Sequence, residues 1–229
     1  MGRVDGAKPV ELKITSDEEW HQYYAALGRL MFAFATMEEE VNRLLEDYVR
    51  DDLLGLKKAP PRSAEIIKAL ISGMRISAAK DTIKRLLRVA DAPAAAEASV
   101  AEILSHLTDL TTLRDQLAHH ASFPTMLPDG TFQTTNQSSA REIMKIEWVT
   151  FHPRFLLAAA EDLEQIPLRL RLALRPLEKA RLSADPSWEA EIVKHSQPWR
   201  YKPGELIRTG PKHDKNPQWR SLPPQSSQE

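Results

Sequence analysis

The stretch SDEEWHQYYAALGRLMFAFATMEEEVNRLLEDY, residues 16–48, decides the fold class. Trp20, Leu27, Phe34, Val41 and Tyr48 recur every seven residues, and Tyr23, Leu30, Met37 and Leu44 fill the positions three later. An apolar stripe with that spacing predicts one helix of about 30 residues, roughly 45–50 Å long at 1.5 Å per residue. Ser16 to Glu19 has the spacing of a capping box, and three acids in the first turn suit the positive end of the helix dipole. The opposite face is charged, with Glu39, Glu40, Arg43, Glu46 and Asp47. The first-helix aromatics are read as core rather than as a cofactor box. Gly55 and the pair Pro60-Pro61 end the element.

Two more helical stretches follow. One covers residues 64–90, capped by Ser63, with Gly73 as the place where it breaks or kinks. The next opens near Pro93, where proline is tolerated, and runs to about Ala118 with Val100, Ile103, Leu104, Leu107, Leu110, Leu113 and Leu117 inside. Residues 121–151 lose the helical period. Asp129-Gly130 between short apolar runs is a hairpin signal, and Ile146, Trp148 and Phe151 read as a short strand. A further helix, 154–182, follows Pro153 and is expected to bend near Pro167 and Pro176. The expected architecture is mainly α: an up-and-down bundle of about four long helices over residues 17–182. A small β-hairpin insertion occupies about 121–151, a polar N-terminal arm covers 1–16, and a Pro-rich, basic, extended arm covers 183–229.

With 229 residues, 42% hydrophobic and 28% charged, the chain belongs with globular proteins. It has no cysteine, which rules out disulfides, thiolate nucleophiles and Cys-based zinc sites. The histidines His21, His106, His152, His195 and His213 are scattered, so no metal and no cofactor are expected. Neither GxGxxG nor GxxxxGK[ST] occurs, which removes the usual phosphate loops. No apolar run reaches the ~18 residues of a membrane span, and Met1 to Lys13 lacks a signal peptide's apolar stretch. Gly2 is followed at position 6 by Gly6, where a myristoylation motif has Ser or Thr. The expected compartment is the cytoplasm, with no membrane partner. The net charge of -1 gives no bulk attraction to nucleic acid, but the basic excess is concentrated after residue 168.

The chemically informative segment is Leu113-Arg114-Asp115-Gln116-Leu117-Ala118-His119-His120. On a helical wheel Arg114 falls inside the stripe set by Ile103, Leu107, Leu110 and Leu117. A permanent cation there is costly unless it is paired or placed at a cleft or interface. Asp115 and His119 are four apart and share a neighbouring face. If the helix persists, His119 projects about 140° away from Arg114, at 3.6 residues per turn.

Arg114 to His119 resembles the Arg-polar-x-x-x-His signature of the HEPN superfamily of helical bundles. The long first helix, with LGRLMFAFATME at 27–38, is also similar to that of HEPN-like bacterial proteins, and the resemblance covers roughly residues 17–182. It implies a metal-independent endoribonuclease of toxin–antitoxin or phage-defence type. Such an enzyme works as a homodimer on RNA, with a cognate antitoxin or defence partner. It implies His119 as general base or acid, Arg114 as phosphate clamp and Asp115 as the residue that orients them; His120 is read as either a second catalytic imidazole or a solvated helix-end residue, the latter favoured. Asp115 stands where Asn is commonest, His120 where Gly often follows, and Ala121 where some HEPN toxins carry a Tyr.

The competing reading is a non-catalytic helical module that binds a protein or a nucleic acid. In it Arg114 and Asp115 form a structural ion pair and His119 ends its helix. Glu38 and Glu40 flank the first-helix stripe, where they either face the motif helix or are solvated, and the solvated reading is favoured. In the C-terminal arm, Arg200 and Lys202 with Trp199 and Tyr201 combine phosphate attraction with rings for base stacking. The bland alternative, that these rings pack on the bundle or on a partner subunit, is slightly favoured.

Overall fold

The computed structural model describes residues 17–49, 61–119, 124–137, 140–142, 145–179, 190, 194–195 and 197–210. The expected N-terminal arm, the cap at Ser16, Gly55, Pro60 and His120 lie outside them. The described chain is mainly α, with five long helices and a four-stranded antiparallel sheet. None of its helices is long and apolar enough to cross a membrane.

Helix α1, Asp17–Tyr48, is the expected long amphipathic helix, with Asp17, Glu18 and Glu19 in its first turn. Tyr23, Leu30, Phe34, Met37, Val41, Leu44 and Tyr48 are buried along one side, whereas Tyr24 and Phe32 point outward. The second stretch is two helices rather than one. Helix α2, Pro61–Ile71, begins two residues ahead of the expected cap Ser63. Gly73 then adopts φ 74°, a left-handed value that glycine takes without a Cβ penalty, and α3 starts anew as Ile76–Val89. A second left-handed residue, Asp91, ends α3 at φ 49°. The Ala92 N–H reaches back to the Leu87 carbonyl at 3.1 Å, satisfying one of the last-turn acceptors.

Helix α4, Ala94–His119, starts just after Pro93, whose carbonyl accepts the N–H groups of Ala96 and Glu97. Helix α5, Pro153–Lys179, runs on through Pro167 and Pro176. It sits beside α1, held near one end by Arg29 against Glu161 and Glu164. Further along, the Tyr48 hydroxyl donates to the Leu174 carbonyl at 3.1 Å, so the two helices run in the same direction.

The expected hairpin belongs to a larger sheet. Strands β1, Thr125–Met126, and β2, Phe132–Thr135, flank the Asp129-Gly130 turn. There the Asp129 carboxylate accepts both the N–H and the hydroxyl of Thr131, and Gly130 takes φ 77°. Strand β3, Trp148–Phe151, pairs with β2 so that Phe132 faces Phe151 and Thr134 faces Val149. Strand β4, Ile207–Thr209, completes the order β1-β2-β3-β4 from the far side of α5. Part of the segment read as an extended arm is therefore the last strand of the sheet.

The sheet shares one hydrophobic cluster with the helices. Phe132 is 1% exposed, stacked on Tyr23 at 4.5 Å between ring centroids and met edge-on by Trp20 at 5.2 Å. Gly210 ends β4 at φ 130°, and a Cβ there would lie 2.6 Å from the Ile146 carbonyl oxygen. Gly210→Ala is expected to cost about 1–3 kcal/mol through strain and displaced backbone. A lowered Tm with loss of amide protection in β4 is the expected signature. An unchanged Tm would count against this role.

Candidate functional site

Arg114 projects from α4 toward α1 at the position the wheel assigned to the apolar stripe. Three neighbours make that placement tolerable. Its guanidinium carbon lies 4.5 Å from the centroid of the Phe34 ring, within cation–π range. Its Nε and Nη2 donate to Asp115 Oδ1 at 3.0 and 2.8 Å. Its Nη1 stands 3.7 Å from Glu38 Oε1. The Arg114 side chain remains 30% exposed and Glu38 32%, so the cluster lies at the surface rather than in the core.

Glu38 thus faces the motif helix, the less favoured of its two sequence readings, while Glu40 pairs with Arg43 at 3.0 Å. The signal was present. On the wheel Glu38 follows Phe34 by four residues, on the edge of the α1 stripe, where a carboxylate can meet a cation that lies on a neighbouring stripe.

His119 is exposed and is the last residue of α4. The helix persists through both motif residues, so His119 and Arg114 leave it about 140° apart. Asp115 is bound to Arg114, a contact expected both of an orienting residue and of a structural ion pair.

The C-terminal site residues sit elsewhere, on a strap of residues 197–210 laid over α4 and α5. Trp199 stacks on His106 at 4.2 Å and 13°, and the Arg169 guanidinium lies 3.7 Å from the Trp199 ring. The indole N–H donates to Glu102 at 3.1 Å. Tyr201 is 2% exposed and meets Phe155 edge-on at 4.8 Å. Its burial, followed by the charge of Asp109, pushes its phenol up to about 12. These two rings are packed against the bundle, the arrangement the sequence reading slightly favoured. Arg200 and Lys202 remain exposed, with Arg200 ion-paired to Glu161.

The strap is fastened at Asp162, which sequence reasoning passed over. This carboxylate is 4% exposed. It accepts the backbone N–H groups of Arg200 at 3.1 Å and Tyr201 at 2.8 Å, and His106 Nε2 lies 2.9 Å from its Oδ2. His106 was passed over as one of the scattered histidines. Its position three residues after Ile103 and four before Leu110 marks it as inward-facing. Beside the strap a cleft of about 390 Å³ is lined by Glu161, Asp162, Glu164, Arg169, His195 and Arg200, among others. Its lining holds the carboxylates of Glu161, Asp162 and Glu164 together with the guanidinium groups of Arg169 and Arg200. Among the described residues no three potential metal ligands gather.

No family model, no curated protein and no solved structure matches the chain.

Proposed function

We propose that the chain is a HEPN-type, metal-independent endoribonuclease that acts as a homodimer, with Arg114 and His119 as its reacting pair. The observation that carries this reading is the surface placement of Arg114: partly exposed, held over Phe34 and bound by Asp115, five residues ahead of an exposed His119 on the same helix. A guanidinium so held presents fixed donors to a phosphate. An imidazole is a side chain able to serve as base or acid in such a reaction.

The reaction this pair suits is attack by RNA's own 2′-hydroxyl. One His119 takes the 2′-O–H proton as that oxygen bonds to phosphorus. The bond from phosphorus to the 5′-oxygen breaks, and a second imidazole gives the leaving oxygen its proton. The products are a 2′,3′-cyclic phosphate and a free 5′-hydroxyl. Arg114 offsets the charge that grows on the phosphate oxygens. Because the two side chains diverge within one chain, the second His119 comes from another copy across a two-fold axis. A role as a toxin or phage-defence effector, held in check by an antitoxin or defence partner, belongs to the same reading.

One observation favours a second reading, a non-catalytic interaction module. Arg114 is flanked by two carboxylates, Glu38 and Asp115, so the cluster carries a net negative charge. The deciding experiment incubates the purified chain with RNA in EDTA. Cleavage with cyclic or 3′-phosphate ends, abolished by Arg114→Ala in a folded protein, is the expected result. The interaction reading takes over if wild-type protein leaves RNA intact.

A further inference from the structure

The five N–H donors of Arg114 are used unevenly. The side fork, Nε and Nη2, is taken by Asp115 Oδ1. The end fork, Nη1 and Nη2, is the edge that matches two oxygens of a phosphate. Among the described residues Nη1 donates no hydrogen bond. It faces Glu38 Oε1 at 3.7 Å, beyond hydrogen-bonding distance. Phe34 lies against one face of the guanidinium, which favours approach at its edge. The end fork is thus oriented, partly exposed and loosely covered by a carboxylate.

We propose that Glu38 is the built-in competitor for this fork: an incoming phosphate oxygen takes the edge of Arg114 that the Glu38 carboxylate covers in the free protein. The inference rests on the reading of Arg114 as a phosphate clamp and adds the residue that sets how tightly the clamp closes. Asp115 holds the guanidinium over Phe34, and Glu38 keeps the fork from binding anions indiscriminately. It touches no reacting atom, so it is a positioning residue. Its charge opposes phosphate binding, and Asp115, already hydrogen-bonded on the other fork, stays in place. One charge at this separation, partly screened by solvent, changes anion affinity by roughly threefold to tenfold.

The test titrates the full chain with inorganic phosphate and follows the Arg114 Nε–H resonance by NMR, assigned by its loss in Arg114→Lys. Glu38→Gln, which keeps the shape and removes the charge, is expected to tighten phosphate roughly threefold to tenfold. Glu38→Ala also deletes the carboxylate. It should shift affinity in the same direction, and it serves if the glutamine variant does not fold. On RNA, Glu38→Gln is expected to lower KM by a similar factor while kcat stays within about twofold. Unchanged or weaker phosphate binding in both variants overturns the inference, as does an Arg114 resonance that ignores phosphate. If the titration behaves as expected and RNA is not cleaved, the competitor role stands and the nuclease reading falls. If RNA is cleaved and both Glu38 variants bind phosphate as wild type does, the reverse holds.

Discussion

His119→Ala is expected to lower RNA cleavage by about 10²–10⁴-fold, the usual worth of a positioned acid or base. His119 is exposed at the last residue of α4, so its removal opens no cavity in the core. Tm should therefore move by no more than a few degrees. The measurement is single-turnover cleavage in EDTA beside a thermal melt on the same preparation. The double variant His119→Ala, His120→Ala closes the escape route through a neighbouring imidazole. Robust cleavage by that double variant would falsify the assignment of the imidazole step to this motif. A collapse of Tm would instead place His119 among the structural residues.

The largest effect on stability is expected where the C-terminal strap is fastened to α5. Asp162→Ala should cost about 3–5 kcal/mol, the range for removing one partner of a buried, hydrogen-bonded charge. Its two oxygens accept the N–H groups of Arg200 and Tyr201 and face His106, and alanine leaves all three without that partner. The loss should be uneven. The strap should release Trp199 and Tyr201 and take β4 from the sheet, while α1 and α5 keep their contacts. Urea unfolding followed by tryptophan fluorescence, with hydrogen exchange at β4, reads both parts. A loss below about 1 kcal/mol with β4 amides still protected would mean that Trp199 stacking, rather than the carboxylate, fastens the strap.

The helices were legible because their signals are local and long. Residues 16–48 carry a seven-residue repeat over four heptads, about eight helical turns, and no strand period competes with it. Gly73 and Asp129-Gly130 were legible as punctuation because each needs a left-handed backbone, and glycine supplies it. Strand β4 was not legible. Ile207-Arg208-Thr209 is too short for an alternation to register, and what makes it a strand is its register with Trp148, Val149 and Thr150. The same reason hid Asp162. Its backbone partners lie 38 and 39 residues away and its side-chain partner His106 lies 56 away, and no local pattern announces them.

For the candidate site, the wheel identified the anomaly at Arg114 and named its remedy, pairing or a cleft. It could not say which carboxylates would supply the pairing. Asp115 was named because it is adjacent in sequence. For Glu38 the solvated reading was favoured over one facing the motif helix, because α1 and α4 had no fixed relation until the fold brought them together.

Strand β3 owes one neighbour to the residues before it and the other to residues made only after the whole of α5. During synthesis the bundle helices can gather while the Trp148–Phe151 edge still lacks its last partner. For that interval a nascent chain carries a bare strand edge, the kind of template on which polypeptides pair wrongly with one another. Ribosomal pausing or premature release between α5 and β4 should therefore favour co-aggregation of nascent chains, a hazard that ends once Ile207–Thr209 has emerged from the exit tunnel.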